Sequence, residues 1–210
     1  MNRGKRKSAK YYVVWEGRTK GVFQDWESCG RSIAKYPGAK FKSYPTLFQA
    51  RFAFENGREA KQTPKWMTAH PAPVLPCLVV DASCRGSPGP TEYRGVMLSA
   101  ADPNGAVAFS SPVFPVGTNN MGEWLGVVHG LTWTTDRKLN IPVYSDSAVA
   151  IKWATQCYTN CTMFDRLSQD LKDATVIARN WLRGNRTALE RLRKWDTDLW
   201  GEIPADYGRK

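Results

Sequence analysis

A chain of 210 residues with 42% apolar content and a formal charge of +11 holds enough apolar residues for a packed core without disulfide or metal staples. It has no run of about 18 apolar residues, and its basic start lacks an apolar stretch, which argues against a transmembrane helix and a secretory signal. The five cysteines, Cys29, Cys77, Cys84, Cys157 and Cys161, form no paired framework, so reduced thiols and a cytoplasmic protein are expected, and no further ligands near Cys157 and Cys161 support a zinc site.

In chain order, residues 1–9 read as a disordered basic tail. Residues 10–54 read as a small α/β unit. YYVVWEG (11–17) and GVF (21–23) suit a strand pair, Trp26 to Lys35 a helix that stops at Pro37-Gly38, AKFKSY (39–44) a strand, and Thr46 caps a helix over 47–54. Residues 55–74, polar with three prolines, read as a linker. From there to residue 210 the pattern predicts strands over 76–82, 92–100 and 105–114, a helix from about 120 to 135 and a strand over 141–146. Helices over 147–156 and 162–182 follow, then a strand over 189–195 and a terminal helix or turn over 202–208. Three antiparallel strands followed by helix, strand, helices and strand make a mixed sheet with helices packed on it.

The charge is lopsided. Residues 1–60 carry 13 Lys/Arg against 5 Asp/Glu, which points to a polyanion, either nucleic acid or an anionic membrane. A membrane-surface role calls for a basic amphipathic helix, whereas these basic residues fall on strands and turns.

Four carboxylates stand at element ends. Asp81 ends an apolar strand, Glu123 opens an apolar helix, Asp146 ends another strand, and Asp206 lies in the last segment. Taken singly, each is equally well a cap, a first-turn dipole partner or a frayed-tail residue. If the two strands are neighbours in one sheet, Asp81 and Asp146 meet at its edge with Glu123 facing them. Such a group persists if a cation gathers it, and oxygen ligands select Mg²⁺ or Mn²⁺. The small residues after Asp81 would let a nucleic-acid backbone lie across the strand end, with Ser83, Cys84, Asn119 and Asn120 as contacts.

The ordered set VVDASCRGSPGP (79–90), TNNMGEWLGVVHGL (118–131), VYSDSAVAI (143–151) and EIPADYGRK (202–210) resembles type 1 ribonuclease H over essentially all of residues 75–210. YYVVWEGRTKGVFQDWESC and AKFKSYPTLFQARFAF resemble the small hybrid-binding, viroplasmin-like domain found before some of its members. The resemblance implies a ribonuclease H-like mixed five-stranded sheet with flanking helices, preceded by a small α/β hybrid-binding domain. It implies an endonuclease that hydrolyses the RNA strand of RNA–DNA hybrids with two Mg²⁺ ions, for which Mn²⁺ substitutes, leaving 5′-phosphate and 3′-hydroxyl ends. The implied catalytic and metal residues are Asp81, Glu123, Asp146 and Asp206. Asn119 is the implied contact to the 2′-hydroxyl side of the minor groove, with Cys84 nearby. In the N-terminal unit Tyr12, Trp26, Phe41 and Lys42 stand at the positions that grip the hybrid, although Trp26 is equally well a core residue in so small a domain.

The chain departs from the family pattern at Ala82, where a glycine is usual, and at Ala148. It also lacks the basic protrusion of some relatives, and residues 195–205 hold no histidine, a role Glu202 is expected to share. A monomer without an obligate protein partner or membrane is expected. The competing reading is a catalytically weak hybrid- or double-stranded-RNA-binding protein.

Overall fold

The computed structural model describes residues 10–57, 64–100, 102 and 105–208. The tail assigned to residues 1–9 lies outside them, as does the middle of the expected linker. Apart from residues 100–104, which group with the first, the chain divides at Thr68/Ala69 into two compact units.

In the first unit, β1 (Tyr11–Glu16) is flanked by β2 (Gly21–Phe23) and β3 (Lys40–Tyr44), both antiparallel to it. Helix α1 (Trp26–Ile33) is started by Asp25, whose carboxylate accepts from the Ser28 N–H at 2.7 Å. Helix α2 (Leu47–Glu55) is started by the hydroxyl of Thr46, which accepts from the Gln49 N–H at 3.2 Å. Val13, Ala50 and Ala53 form a small core with Tyr11, Trp15, Val22 and Tyr44 around it.

The expected linker over 55–74 is too long. Glu55 belongs to α2, and Lys65–Met67 form a 3-10 turn that folds back on that helix. Trp66 is buried with its ring 4.9 Å from that of Phe48, and the Gln49 side-chain amide donates to the Met67 carbonyl. A unit this small gains core from any large apolar side chain within reach, and that outweighs the prolines around it.

The second unit is a mixed sheet under helices. It comprises β4 (Cys77–Cys84), β5 (Gly89–Leu98), β6 (Ala106–Ser110), β7 (Phe114–Gly117), α3 (Asn119–Asp136), β8 (Val143–Ser145), α4 (Ala148–Gln156), α5 (Gln169–Gly184), β9 (Leu192–Lys194) and α6 (Thr197–Trp200). The strand order is β6-β5-β4-β8-β9, with β7 also paired to β5. Strands β4, β5 and β6 are antiparallel neighbours, while β8 runs parallel to both β4 and β9.

The sheet has six strands where five were expected, because the third predicted strand is broken. Residues 111–113 interrupt it, and β6 and β7 take successive parts of the free edge of β5. Pro112 lacks the N–H that a continuous strand would offer there. The helix expected over 162–182 starts only at Gln169, preceded by a 3-10 turn at Phe164–Arg166. The strand expected over 189–195 is reduced to β9 by a 3-10 turn at Arg186–Arg191. Residues 202–208 are a turn, and the short α6 stands just before them.

Helix α3 lies directly on β4. It buries Met121, Trp124, Val127, Val128 and Leu131 against Leu78 and Val80. Close approach depends on Gly122, where a Cβ would meet the Thr91 methyl at 2.7 Å and the Ala82 Cβ at 3.0 Å. The β4–β5 hairpin is tighter still. A Cβ on Gly89 would overlap the carbonyl oxygen of Arg85. Gly89→Ala is therefore expected to destabilise the second unit by about 2 kcal/mol or more, seen as a lower midpoint in calorimetric melting. An unchanged midpoint would mean that the hairpin relaxes freely.

Candidate active site

Side chains alternate along β4, so Leu78, Val80 and Ala82 face α3 while Val79 and Asp81 face the other side. That other side is covered by the chain's last segment. Trp195, Trp200 and Tyr144 pack edge to face, and Ile203 and Ala205 are buried. Asp81 stands where the strand leaves the core, Asp146 directly after the parallel neighbour β8, and Asp206 in the turn that follows α6. Glu123 projects from the first turns of α3, whose start is capped by Thr118.

These four carboxylates, with Glu202, line one open cleft of about 270 Å³, and Ser83, Cys84, Asn119 and Tyr207 complete its wall. Asn120 is not in it. It lies in a neighbouring hollow with Thr118, Trp153 and Asn160, and Asn119 borders both. The Asn119 amide N–H donates to Glu123 Oε1 at 2.6 Å. The Cys84 thiol is turned to the hairpin backbone, donating to the Gly86 carbonyl at 2.6 Å and accepting from the Thr91 hydroxyl at 3.1 Å.

Burial pushes Asp81 up to about 7, and the nearby Asp146, Asp206 and Glu123 add to that, against one backbone N–H from Ala82. Burial also raises Glu123, opposed by hydrogen bonds from Ser147 and Asn119. Asp146 is raised by burial and by Glu202 and Asp206, while its own backbone N–H and Lys194 pull it down. Ser147 was not foreseen as a site residue. It caps α4 through its hydroxyl, which accepts from the Ala150 N–H, and it serves Glu123 as well. Its position next to Asp146 was the available signal.

The donor set fits a hard divalent cation: oxygen ligands only, several of them held costly in their ionised form. Among the described residues no three acidic, His or Cys side chains already stand spaced as a ligand cage. The shared cleft and the mutual raising of the carboxylates mark where such a cation would be held. No helix among the described residues is long and apolar enough to cross a membrane.

In the first unit the aromatic residues form a surface group. Trp26 is 53% and Phe41 44% exposed, and the Trp26 ring lies 5.4 Å from Tyr12 and 5.8 Å from Phe41. Trp26 is thus not a core residue. Lys42 is exposed on the opposite face of the sheet, in register with Val13, with its ammonium 5.6 Å from the Tyr44 ring.

A mixed α/β sheet with a carboxylate cleft, preceded by a small three-stranded unit, is the class of molecule these features define. Residues 10–54 match the family model of the ribonuclease H1 N-terminal domain. A ribonuclease H of Crithidia fasciculata is 33% identical over 67 residues, 32% of this chain and 11% of that protein. Human ribonuclease H1 is 38% identical over 48 residues, 23% of this chain and 17% of that protein. The matches thus span under a fifth of the length of these curated relatives. Among solved structures, RNase H1 of the archaeon Halobacterium salinarum is 22% identical, covering 57% of this chain and 80% of that one, with a TM-score of 0.34. The N-terminal RNase H domain of a Mycobacterium tuberculosis protein is 24% identical, covering 57% of this chain and 86% of that one, with a TM-score of 0.37. Residues 10–54 are thus similar to the ribonuclease H1 N-terminal domain, and the curated relatives that match parts of the chain are ribonucleases H.

Proposed function

We propose that this chain is a metal-dependent endoribonuclease that hydrolyses the RNA strand of RNA–DNA hybrids, leaving 5′-phosphate and 3′-hydroxyl ends. The observation that carries the reading is the gathering of Asp81, Glu123, Asp146 and Asp206 at one open cleft, with Asp81 driven up to about 7. Those four residues would hold two Mg²⁺ ions, or Mn²⁺ in their place. Bound there, the ions would supply a nucleophilic water and charge stabilisation for displacement at phosphorus.

The chain's own part is orientation. Ser147 and Asn119 fix the Glu123 carboxylate. With its N–H committed to Glu123, Asn119 presents its carbonyl oxygen to a 2′-hydroxyl donor, which selects RNA. Cys84 shapes the hairpin, while Ser83 faces the substrate backbone. Glu202, beside Asp146, serves where a histidine is missing from residues 195–205. Tyr12, Trp26, Phe41 and Lys42 grip the hybrid from the N-terminal unit through stacking and a phosphate contact. We place the protein in the cytoplasm on the strength of its five free cysteines, three of them buried.

The reading is tested with a hybrid labelled at one end of its RNA, beside duplex RNA and duplex DNA, in Mg²⁺, Mn²⁺ or EDTA. Cleavage of the hybrid alone, abolished by EDTA, is expected. Tight hybrid binding without cleavage in either metal would favour the second reading, a weakly catalytic hybrid- or double-stranded-RNA-binding protein.

The surface aromatic group carries its own prediction. Replacing both Trp26 and Phe41 by Ala is expected to weaken hybrid binding about tenfold or more in EDTA, by fluorescence anisotropy, with little change in melting temperature. Unchanged affinity would assign the group to packing.

A further inference from the structure

Arg94 lies on β5 directly opposite Asp81 in the β4–β5 register, so both side chains leave the same face of the sheet. Among the described residues its guanidinium pairs with no carboxylate. Nε donates to the Ala205 carbonyl at 2.8 Å and Nη2 to the Asp206 carbonyl at 2.6 Å. The same group stacks over the Tyr207 ring, its Cζ 4.5 Å from the ring centre. One half-buried arginine therefore grips three consecutive residues of the terminal turn, and the middle one is Asp206.

The turn has other anchors besides. Ile203 and Ala205 are buried, the Trp195 indole N–H donates to the Gly201 carbonyl at 2.8 Å, the Asp206 N–H donates to the Ile203 carbonyl at 2.8 Å, and the Gly208 N–H donates to Asp206 Oδ1 at 3.1 Å. The buried side chains fix how deep the segment sits, but apolar contact is non-directional, and the bonds of Asp206 to Ile203 and Gly208 lie within the turn and move with it, so neither orients the turn against β5. Two hydrogen bonds to successive carbonyls do. The Asp206 carbonyl carbon and side chain leave the same Cα, so orienting the peptide planes on either side of Asp206 aims its carboxylate. A fork of fixed N–H directions is suited to this, and a lysine ammonium is not.

We propose that Arg94 is a positioning residue that aims Asp206 into the cleft, coupling the strand next to the first carboxylate to the segment bearing the last. The proposal rests on the function assigned above to the cleft. Its guanidinium is engaged by the turn, so its role is exerted through Asp206 and not by touching substrate.

The test uses the full chain and the variants Arg94→Gln, Arg94→Lys, Asp206→Asn and Arg94→Gln/Asp206→Asn. For Arg94→Gln, kcat on the labelled hybrid is expected to fall about 10- to 100-fold, with KM changed less than about threefold. Amide hydrogens of residues 203–208 should exchange faster while those of β4 do not. Arg94→Lys should restore neither. In titration calorimetry with Mn²⁺ alone, Arg94→Gln should weaken binding, and the double variant should bind no more weakly than Asp206→Asn by more than about threefold. A loss confined to KM, unaltered exchange over 203–208, or fully additive losses in Mn²⁺ affinity would each overturn the proposal. A parent chain that neither cleaves hybrid nor binds Mn²⁺ would sink the nuclease reading instead, and the exchange experiment would still decide whether Arg94 holds the turn.

Discussion

Asp146→Asn is expected to lower hybrid cleavage by about 1,000-fold or more while leaving hybrid affinity in EDTA within about threefold. Asparagine keeps the shape of the side chain and removes the charge that a cation needs. Asp146 sits at the end of β8, where burial and the neighbouring Glu202 and Asp206 make its ionised form costly. Removing that charge relieves repulsion, so the melting temperature of the metal-free variant should equal or exceed that of the parent. A loss of activity with intact folding and binding is therefore the expected pattern. Near-normal turnover would remove Asp146 from the catalytic group.

The metal-free chain is expected to lose stability as pH rises from 5 to 7, and Mg²⁺ should restore it. Asp81 is held at about 7 in the fold against an ordinary value of 3.8. Between those values the folded chain keeps a proton that the unfolded chain has released, so stability falls with rising pH until the folded value is passed. Over two pH units this amounts to at most about 3 kcal/mol for Asp81, less whatever water in the open cleft screens. Glu123 and Asp146 are raised as well and add in the same direction. His129, pushed down chiefly by burial, works in the opposite direction, but it is one group against three. Denaturant titrations in EDTA at pH 5, 6 and 7, repeated in excess Mg²⁺ at pH 7, check this. A free energy in EDTA that is flat or rises with pH would mean that the carboxylates do not repel one another as their placement requires.

What the sequence revealed, and what it hid, follows from the range of the interactions involved. Helix α3 was legible because its apolar residues recur at helical spacing, a local signal, whereas its cap, Thr118, emerged only in the structure. The small unit was legible through another local signal, Thr46. The four carboxylates could be grouped from the sequence because Asp81 and Asp146 close apolar runs and Glu123 lies near the start of an apolar helix, and sheet order brings these to one cleft with Asp206. Local patterns could not show that Trp66 turns back on α2, since a proline-flanked tryptophan has the same local look in a linker. Nor could they show the break between β6 and β7, because Ser111-Pro112-Val113 sits inside an otherwise strand-like run. Trp26 was undecided because composition says nothing about which face an aromatic takes. Arg94 escaped notice altogether, since its partners are backbone carbonyls far along the chain, and backbone carbonyls leave no trace in a sequence.

That last feature also sets a clock. The bond from Arg94 to the Ala205 carbonyl joins residues 111 positions apart. Closing so long a loop comes at an entropic cost that only an already ordered sheet can offset. During refolding, helix content and the burial of tryptophan should therefore recover first. Cation binding, which needs the final turn in place, should recover last.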